Sequence, residues 1–74
     1  MKYLRHDKKL KKLGIRIKKI REEQSLSQVQ LAFESGVPEI QIRRIEKGTV
    51  NTGVSSLFAL SEALNIEIKD LFEI

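Results

Sequence analysis

The sequence predicts an all-α domain built from five helices. Apolar residues recur at spacings of three and four through most of the chain, which is the period of a helix. Glycines and small polar residues that favour helix ends separate these apolar segments. The chain has 74 residues, of which 41% are hydrophobic, so it has enough apolar material for a single compact core.

The first helix is predicted over residues 7–24, with basic residues between the members of its apolar stripe, Leu10, Leu13, Ile17 and Ile20. Gly14 interrupts this helix at a cost of up to about 1 kcal/mol relative to Ala. A glycine at this position is consistent with a close helix crossing.

The second and third helices follow in quick succession. Ser27 and Gln30 have the spacing of a capping box, so a second helix begins after Ser27 and ends before Gly36. Pro38 suits the first turn of a third helix, because its missing amide hydrogen has no partner there. Gly48 ends that helix as Gly36 ends the one before it.

The C-terminal part of the chain predicts two more helices. Helical spacing continues in a fourth helix through Leu57, Leu60, Ala63 and Leu64, and Asn65 closes it. The final segment, IEIKDLFEI, is interpreted as a short fifth helix with Ile68, Leu71 and Phe72 inward. The alternation in IEIK is also compatible with a strand, and the context favours the helix.

Charge is distributed unevenly along the chain. The formal net charge is +4, but residues 1–21 carry ten Lys or Arg and only Asp7 as an acid, so the net charge is +9 there and −5 over the rest. Such a basic segment indicates a polyanionic partner, nucleic acid or anionic lipid, unless it is only a solvated helix face.

Composition argues against several classes of function. Without cysteine and with a single histidine, the chain has no disulfide framework, zinc cage or histidine-based catalytic pair. We therefore expect neither a cofactor nor a metal, and no enzymatic activity. Because the N-terminal residues lack the apolar stretch of a signal peptide and no segment is apolar enough to span a membrane, a cytoplasmic protein is expected.

The second and third helices have the pattern of a helix-turn-helix unit over residues 28–47. The link around Gly36 is too short for antiparallel packing, so the helices must cross steeply. The positions that this crossing uses are Leu31, Ala32, Gly36, Val37, Ile42 and Ile45. An ordinary helical hairpin is the alternative.

Four sequence segments resemble a known protein family in their order and spacing. They are LGIRIKKIRE, LSQVQLAFESGV, IRRIEKG and LFALSEALNIEIKDLF. Together they are similar to the lambda-repressor-like, or XRE-type, helix-turn-helix domains of Cro, phage repressors, restriction-modification controllers and antitoxins. The resemblance implies a five-helix domain over residues 13–74 that binds operator DNA, usually as a dimer. Residues 1–12 are then a basic N-terminal arm or helix extension. Pro38 and Glu67 depart from the family pattern, in which a capping Ser or Thr is usual.

Residues on the third helix are the candidates for contact with DNA bases. Steps of 100° per residue place Ile42 and Ile45 on one side of this helix and a largely cationic face opposite them. If this face enters a major groove, Arg43 or Arg44 suits guanine and Gln41 suits adenine or a phosphate. The resemblance implies base contacts from the positions of Glu39, Ile40 and Arg44. Base contacts are therefore expected from Glu39, Ile40, Gln41, Arg43 and Arg44, with Glu39 alternatively serving the helix N-terminus.

Other residues are candidates for phosphate contact or for stability. Gln28 and Asn51 match family positions that bind phosphate, and Lys47 and Thr49 are further candidates. The resemblance also implies a structural ion pair between Arg21 and Glu46.

The expected partner is double-stranded DNA, bound at a palindromic operator by a homodimer with its third helix in the major groove. We expect the dimer interface in the C-terminal half, at Leu71, Phe72 and Ile74. The alternative is an antitoxin-type or other protein-interaction module that uses Phe33 and these C-terminal residues. Membrane-surface binding by the first helix is disfavoured, because its apolar stripe is needed for the core.

Overall fold

The computed structural model describes residues 5–74, and within them the chain forms five helices and no strand. These are α1 (Asp7–Glu23), α2 (Gln28–Ser35), α3 (Glu39–Lys47), α4 (Val54–Ala63) and α5 (Ile68–Leu71). The all-α fold with five helices is therefore confirmed, and the IEIK segment leads into a helix. No helix in residues 5–74 is long and apolar enough to cross a membrane.

One hydrophobic core holds the five helices together. α1 packs against α3 and α5, α2 packs against α3 and α4, and α4 packs against α5. Side chains with almost no exposed surface come from every helix, and they are Ile17, Leu31, Ile42, Leu60, Leu64 and Leu71. Because each helix buries one apolar stripe, the periodic pattern in the sequence locates the core correctly.

Hydrogen bonds and backbone angles confirm the predicted start of α2 and the predicted ends of α2 and α3. The Ser27 hydroxyl accepts from the Gln30 amide at 3.0 Å, and the Gln30 side-chain oxygen accepts from the Ser27 amide at 2.8 Å. Gly36 and Gly48 end their helices with φ values of 77° and 72°, a conformation that side chains rarely adopt.

Two helix starts differ from the sequence expectation, one in its position and the other in the residue that caps it. Pro38 lies before α3 as its N-cap, with extended backbone, so the helix begins one residue later than predicted. At the start of α5, where Glu67 replaces the usual capping residue, the Asp70 carboxylate accepts from the Glu67 amide at 3.1 Å. The carboxylate thus supplies the cap from within the helix.

The structure corrects two expectations for the C-terminus. Leu71 is fully buried in the core, so it is not available for a dimer interface as predicted. Phe72, which was expected to face inward, is 51% exposed. The reason is that α5 is a single turn and can turn only one of two adjacent side chains into the core.

Gly14 marks a close crossing of α1 over the end of α3. A methyl group added at Gly14 would lie 2.6 Å from the Glu46 carbonyl oxygen and 2.8 Å from the Glu46 carbonyl carbon. The two backbones are therefore in direct contact, and only glycine allows this approach.

The N-terminal basic segment is helical from Asp7 onward, so residues 7–12 form the first turns of α1. Residues 1–4, including Lys2, lie outside the described part of the chain.

Candidate nucleic-acid interface

α2 and α3 form the helix-turn-helix unit, joined by residues 36–38. Ile42 and Ile45 face the core with at most 2% of their surface exposed. Ile40, Arg43, Arg44 and Lys47 lie on the exposed face of α3. The division into an inner and an outer face that the helical period predicts is confirmed.

Several of the candidate base-contacting side chains on α3 are engaged within the protein. Arg43 donates to the Glu39 carboxylate at 2.9 Å, one helical turn earlier. The side-chain amide of Gln41 donates to the hydroxyl of Ser56 on α4 at 3.1 Å. Contact of these three residues with a base therefore requires these bonds to be shared or exchanged.

Arg44, Ile40 and Lys47 are the members of this face whose side chains form no hydrogen bond or ion pair with a described residue. Arg44 forms no ion pair with any described residue, and Ile40 is 57% exposed. Both line a hollow between α3 and the connector that precedes α4, with Asn51 on the opposite wall. Gln41 lines the same hollow, so the structure brings three candidate base contacts and one candidate phosphate contact to the same surface.

A buried ion pair links α1 to α3 behind this face. The Nε and Nη2 atoms of Arg21 donate to the two carboxylate oxygens of Glu46 at 2.7 and 3.0 Å, and Nη1 donates to the Leu26 carbonyl at 2.8 Å. The hydrogen bond to Glu46 raises the pKa of Arg21, while burial acts in the opposite direction. The ion pair that the resemblance implies is present, and it ties the ends of α1 and α3 together.

Gln28 joins the same network, which sequence reasoning missed. Its side-chain amide donates to Glu46 Oε1 at 3.0 Å and is half-buried at the start of α2. Separation by 18 residues in the chain leaves no local spacing signal for this contact. The bond holds the Gln28 amide in one orientation and leaves its second N–H for another acceptor.

The remaining phosphate candidates lie at the end of α3 and in the connector after it. They differ in which of their hydrogen-bond donors are free. The backbone amide and the hydroxyl of Thr49 both donate to the Arg44 carbonyl, at 3.0 and 3.2 Å. A phosphate contact from Thr49 would therefore compete with the C-terminal cap of α3. Lys47 and Asn51 are exposed, and neither forms a side-chain hydrogen bond with a described residue.

Comparison with known proteins identifies the class to which this chain belongs. The family model described as helix-turn-helix matches residues 17–71. The chain is 36% identical over 61 residues to the control protein C.BamHI of Bacillus amyloliquefaciens, covering 81% of this chain and 75% of that one. It is also 39% identical over 56 residues to the immunity repressor of Bacillus phage phi105, covering 76% of this chain and 39% of the repressor.

A solved structure agrees with these relatives. The restriction-modification controller protein C.AhdI from Aeromonas hydrophila superposes with a TM-score of 0.84 at 36% identity, covering 85% of this chain and 96% of that chain. The chain belongs to the helix-turn-helix family. It spans well under two thirds of the length of some curated relatives, 24% in one case and 39% in another.

Proposed function

We propose that this protein regulates transcription by placing α3 in the major groove of operator DNA. The observation that carries the proposal is the free outer face of α3, where Arg44 and Ile40 lie beside Asn51. A helix with one buried face and one free cationic face suits insertion into a groove whose walls are phosphates.

Arg44 is the main candidate for reading a base, through two hydrogen bonds to guanine O6 and N7. Ile40 supplies an apolar surface for a thymine methyl group. Glu39 and Arg43 act as a pair, since Arg43 gives Glu39 one hydrogen bond from Nη2 and keeps its other N–H donors for a base. Gln41 is oriented by its bond to Ser56 and keeps its side-chain oxygen and second N–H for a base contact.

Phosphate contacts orient the helix without reading sequence. Gln28 is well placed for this, because its amide is oriented by Glu46 and lies at the N-terminus of α2, where backbone N–H groups favour an anion. Lys47, at the C-terminal end of α3, and Asn51, in the connector after it, contribute further phosphate contacts. Thr49 is the weakest member of this set, since both of its donors already cap α3.

The proposed assembly is a homodimer on a palindromic site, with half-sites about one helical turn, roughly 34 Å, apart. Phe72 and Ile74, which are 51% and 48% exposed, are the interface candidates that remain after Leu71 is assigned to the core. Sedimentation of the free protein and of the protein on a bound duplex measures the stoichiometry. A monomer in both samples would contradict the homodimer.

Selection of bound sequences from a random DNA pool tests the proposed function directly. We expect enrichment of a motif with two-fold symmetry. Recovery of no motif, together with stable capture of a protein partner from the source cell, would instead favour the interaction-module alternative, for which the 90% exposed Phe33 is the obvious contact. Because its proposed partner is DNA, we place the protein in the cytoplasm.

A further inference from the structure

The N-terminal extension, residues 5–12, consists of Arg5, His6 and the first turns of α1, and it packs against the connector that follows α3. At Gly48 an added methyl group would lie 2.6 Å from the Lys11 α-carbon and 2.8 Å from the Lys11 amide nitrogen. The first turns of α1 and the end of α3 are therefore in backbone contact, as they also are at Gly14.

The Arg5 side chain also binds the connector next to Gly48. Arg5 Nη2 donates to the Thr49 carbonyl at 2.9 Å, and Arg5 Nε donates to the Asp7 carboxylate at 2.6 Å. Asp7 lies in the first turn of α1, where a negative charge is favourable. These bonds place the start of α1 against the residue that follows Gly48.

The docked extension is strongly basic. Lys8, Lys9, Lys11 and Lys12 are all exposed, and none of them forms an ion pair with a described residue. Positive charges in the first turns of a helix are unfavourable, because the N-terminal end of the helix dipole is itself positive. A bound anion would relieve this repulsion.

The position of the extension indicates which anion it meets. A methyl group added at Gly48 would also lie 2.8 Å from the Lys11 γ-carbon, so the Lys11 side chain begins against Gly48, between the exposed residue Lys47 and the connector. We propose that Lys11 binds the phosphate backbone of DNA beside the groove that α3 occupies. This inference rests on the proposed function and extends the DNA contact beyond the helix-turn-helix unit.

The chain offers a matched control on the same helix. Lys12 and Lys19 are exposed as well, but they line a hollow with Glu73 and Ile74 on the side of α1 that faces the C-terminus. The variant Lys11→Gln and the control Lys12→Gln lose the same charge and keep similar side-chain length. Point substitutions are preferable to truncation at residue 9, which would remove helical residues of α1.

The measurement is the slope of log K against log salt on two duplexes of about three helical turns, roughly 30 base pairs. One duplex carries the motif selected from the random pool and the other a scrambled sequence. We expect Lys11→Gln to shrink the slope by roughly 0.9 on both, because a lost phosphate contact removes about that much. The control should leave the slope within experimental error, and circular dichroism melting checks that both variants fold.

The outcomes separate this inference from the proposed function. If the wild-type protein binds neither duplex, both proposals are overturned. If the wild-type protein prefers its selected motif but Lys11→Gln and Lys12→Gln change the slope equally, or neither changes it, only the proposed role of Lys11 is overturned.

Discussion

Replacement of Glu46 by Gln should destabilise the fold strongly. The Glu46 carboxylate accepts hydrogen bonds from Arg21 Nε, Arg21 Nη2 and Gln28 Nε2, and the side chains of Arg21 and Glu46 are only 9% and 3% exposed. Glu46→Gln removes the charge and points an amide donor at the guanidinium donors, which leaves the positive charge of Arg21 without a counterion.

The expected loss in the free energy of unfolding is about 2–4 kcal/mol, slightly below the range for breaking a fully buried pair because Arg21 keeps its bond to the Leu26 carbonyl. That is a large part of the total stability of a chain of this size, about 4–11 kcal/mol. The melting temperature should fall by at least about 8 °C, at about 4–8 °C per kcal/mol.

Urea denaturation followed by circular dichroism measures this loss, and Glu39→Gln is the matched control on the same helix. Glu39 pairs with Arg43 at the surface, so its loss should cost less than about 1 kcal/mol. The apolar double variant Arg21→Met/Glu46→Leu should recover much of the stability that Glu46→Gln loses, because no unpaired charge remains buried. A cost for Glu46→Gln below about 1 kcal/mol would refute the reasoning.

The contribution of Arg21 has a defined pH dependence. Because pairing with Glu46 raises the pKa of Arg21 in the folded protein, the stability that this shift provides is complete below the unfolded pKa. It is lost only as the pH rises through the folded pKa. Titration of Arg21 should therefore cause no change in stability between neutral and mildly alkaline solution.

Three further substitutions test the site and the fold. Arg44→Ala should relax specificity at one base position at a cost of about 1–3 kcal/mol, measured on cognate and single-base variant duplexes, and equal weakening on a scrambled duplex would contradict base reading by Arg44. Gln28→Ala should lower affinity about equally on all sequences, and a changed base preference would contradict a phosphate contact. Gly14→Ala should destabilise the protein by about 1–3 kcal/mol in urea denaturation despite the better helix propensity of Ala, because the added methyl group meets the Glu46 backbone. Unchanged stability would contradict this prediction, because it would mean that α1 and α3 move apart at no cost in free energy.

Local chemistry allowed much of the fold to be predicted from sequence. The Ser27 and Gln30 capping box and the glycines at 36 and 48 act through bonds and backbone angles within a few residues, so their spacing alone is informative. The inner and outer faces of α3 follow from the helical period in the same way. The Arg21 and Glu46 pair, in contrast, was available only through resemblance to the family, because 25 residues separate the two partners.

Contacts between distant segments were decided by the tertiary structure. Leu71 and Phe72 are adjacent and both apolar, and only the docking of α5 determines that the first is buried and the second exposed. Gln28 binding to Glu46, Gln41 binding to Ser56 and Arg5 binding to Thr49 likewise join segments that no periodic pattern connects.

The sequence by itself therefore determined the helices, their ends and the residues that face the core, because hydrophobic periodicity and capping are local properties. The tertiary structure decided which polar side chains of the candidate DNA surface are free and which are held, since that depends on partners brought close by packing. Gln28 and Asn51 are both side-chain amides among the phosphate candidates in the sequence. Only Gln28 meets Glu46, which lies 18 residues away in the chain, so the two amides enter the proposed interface in different states.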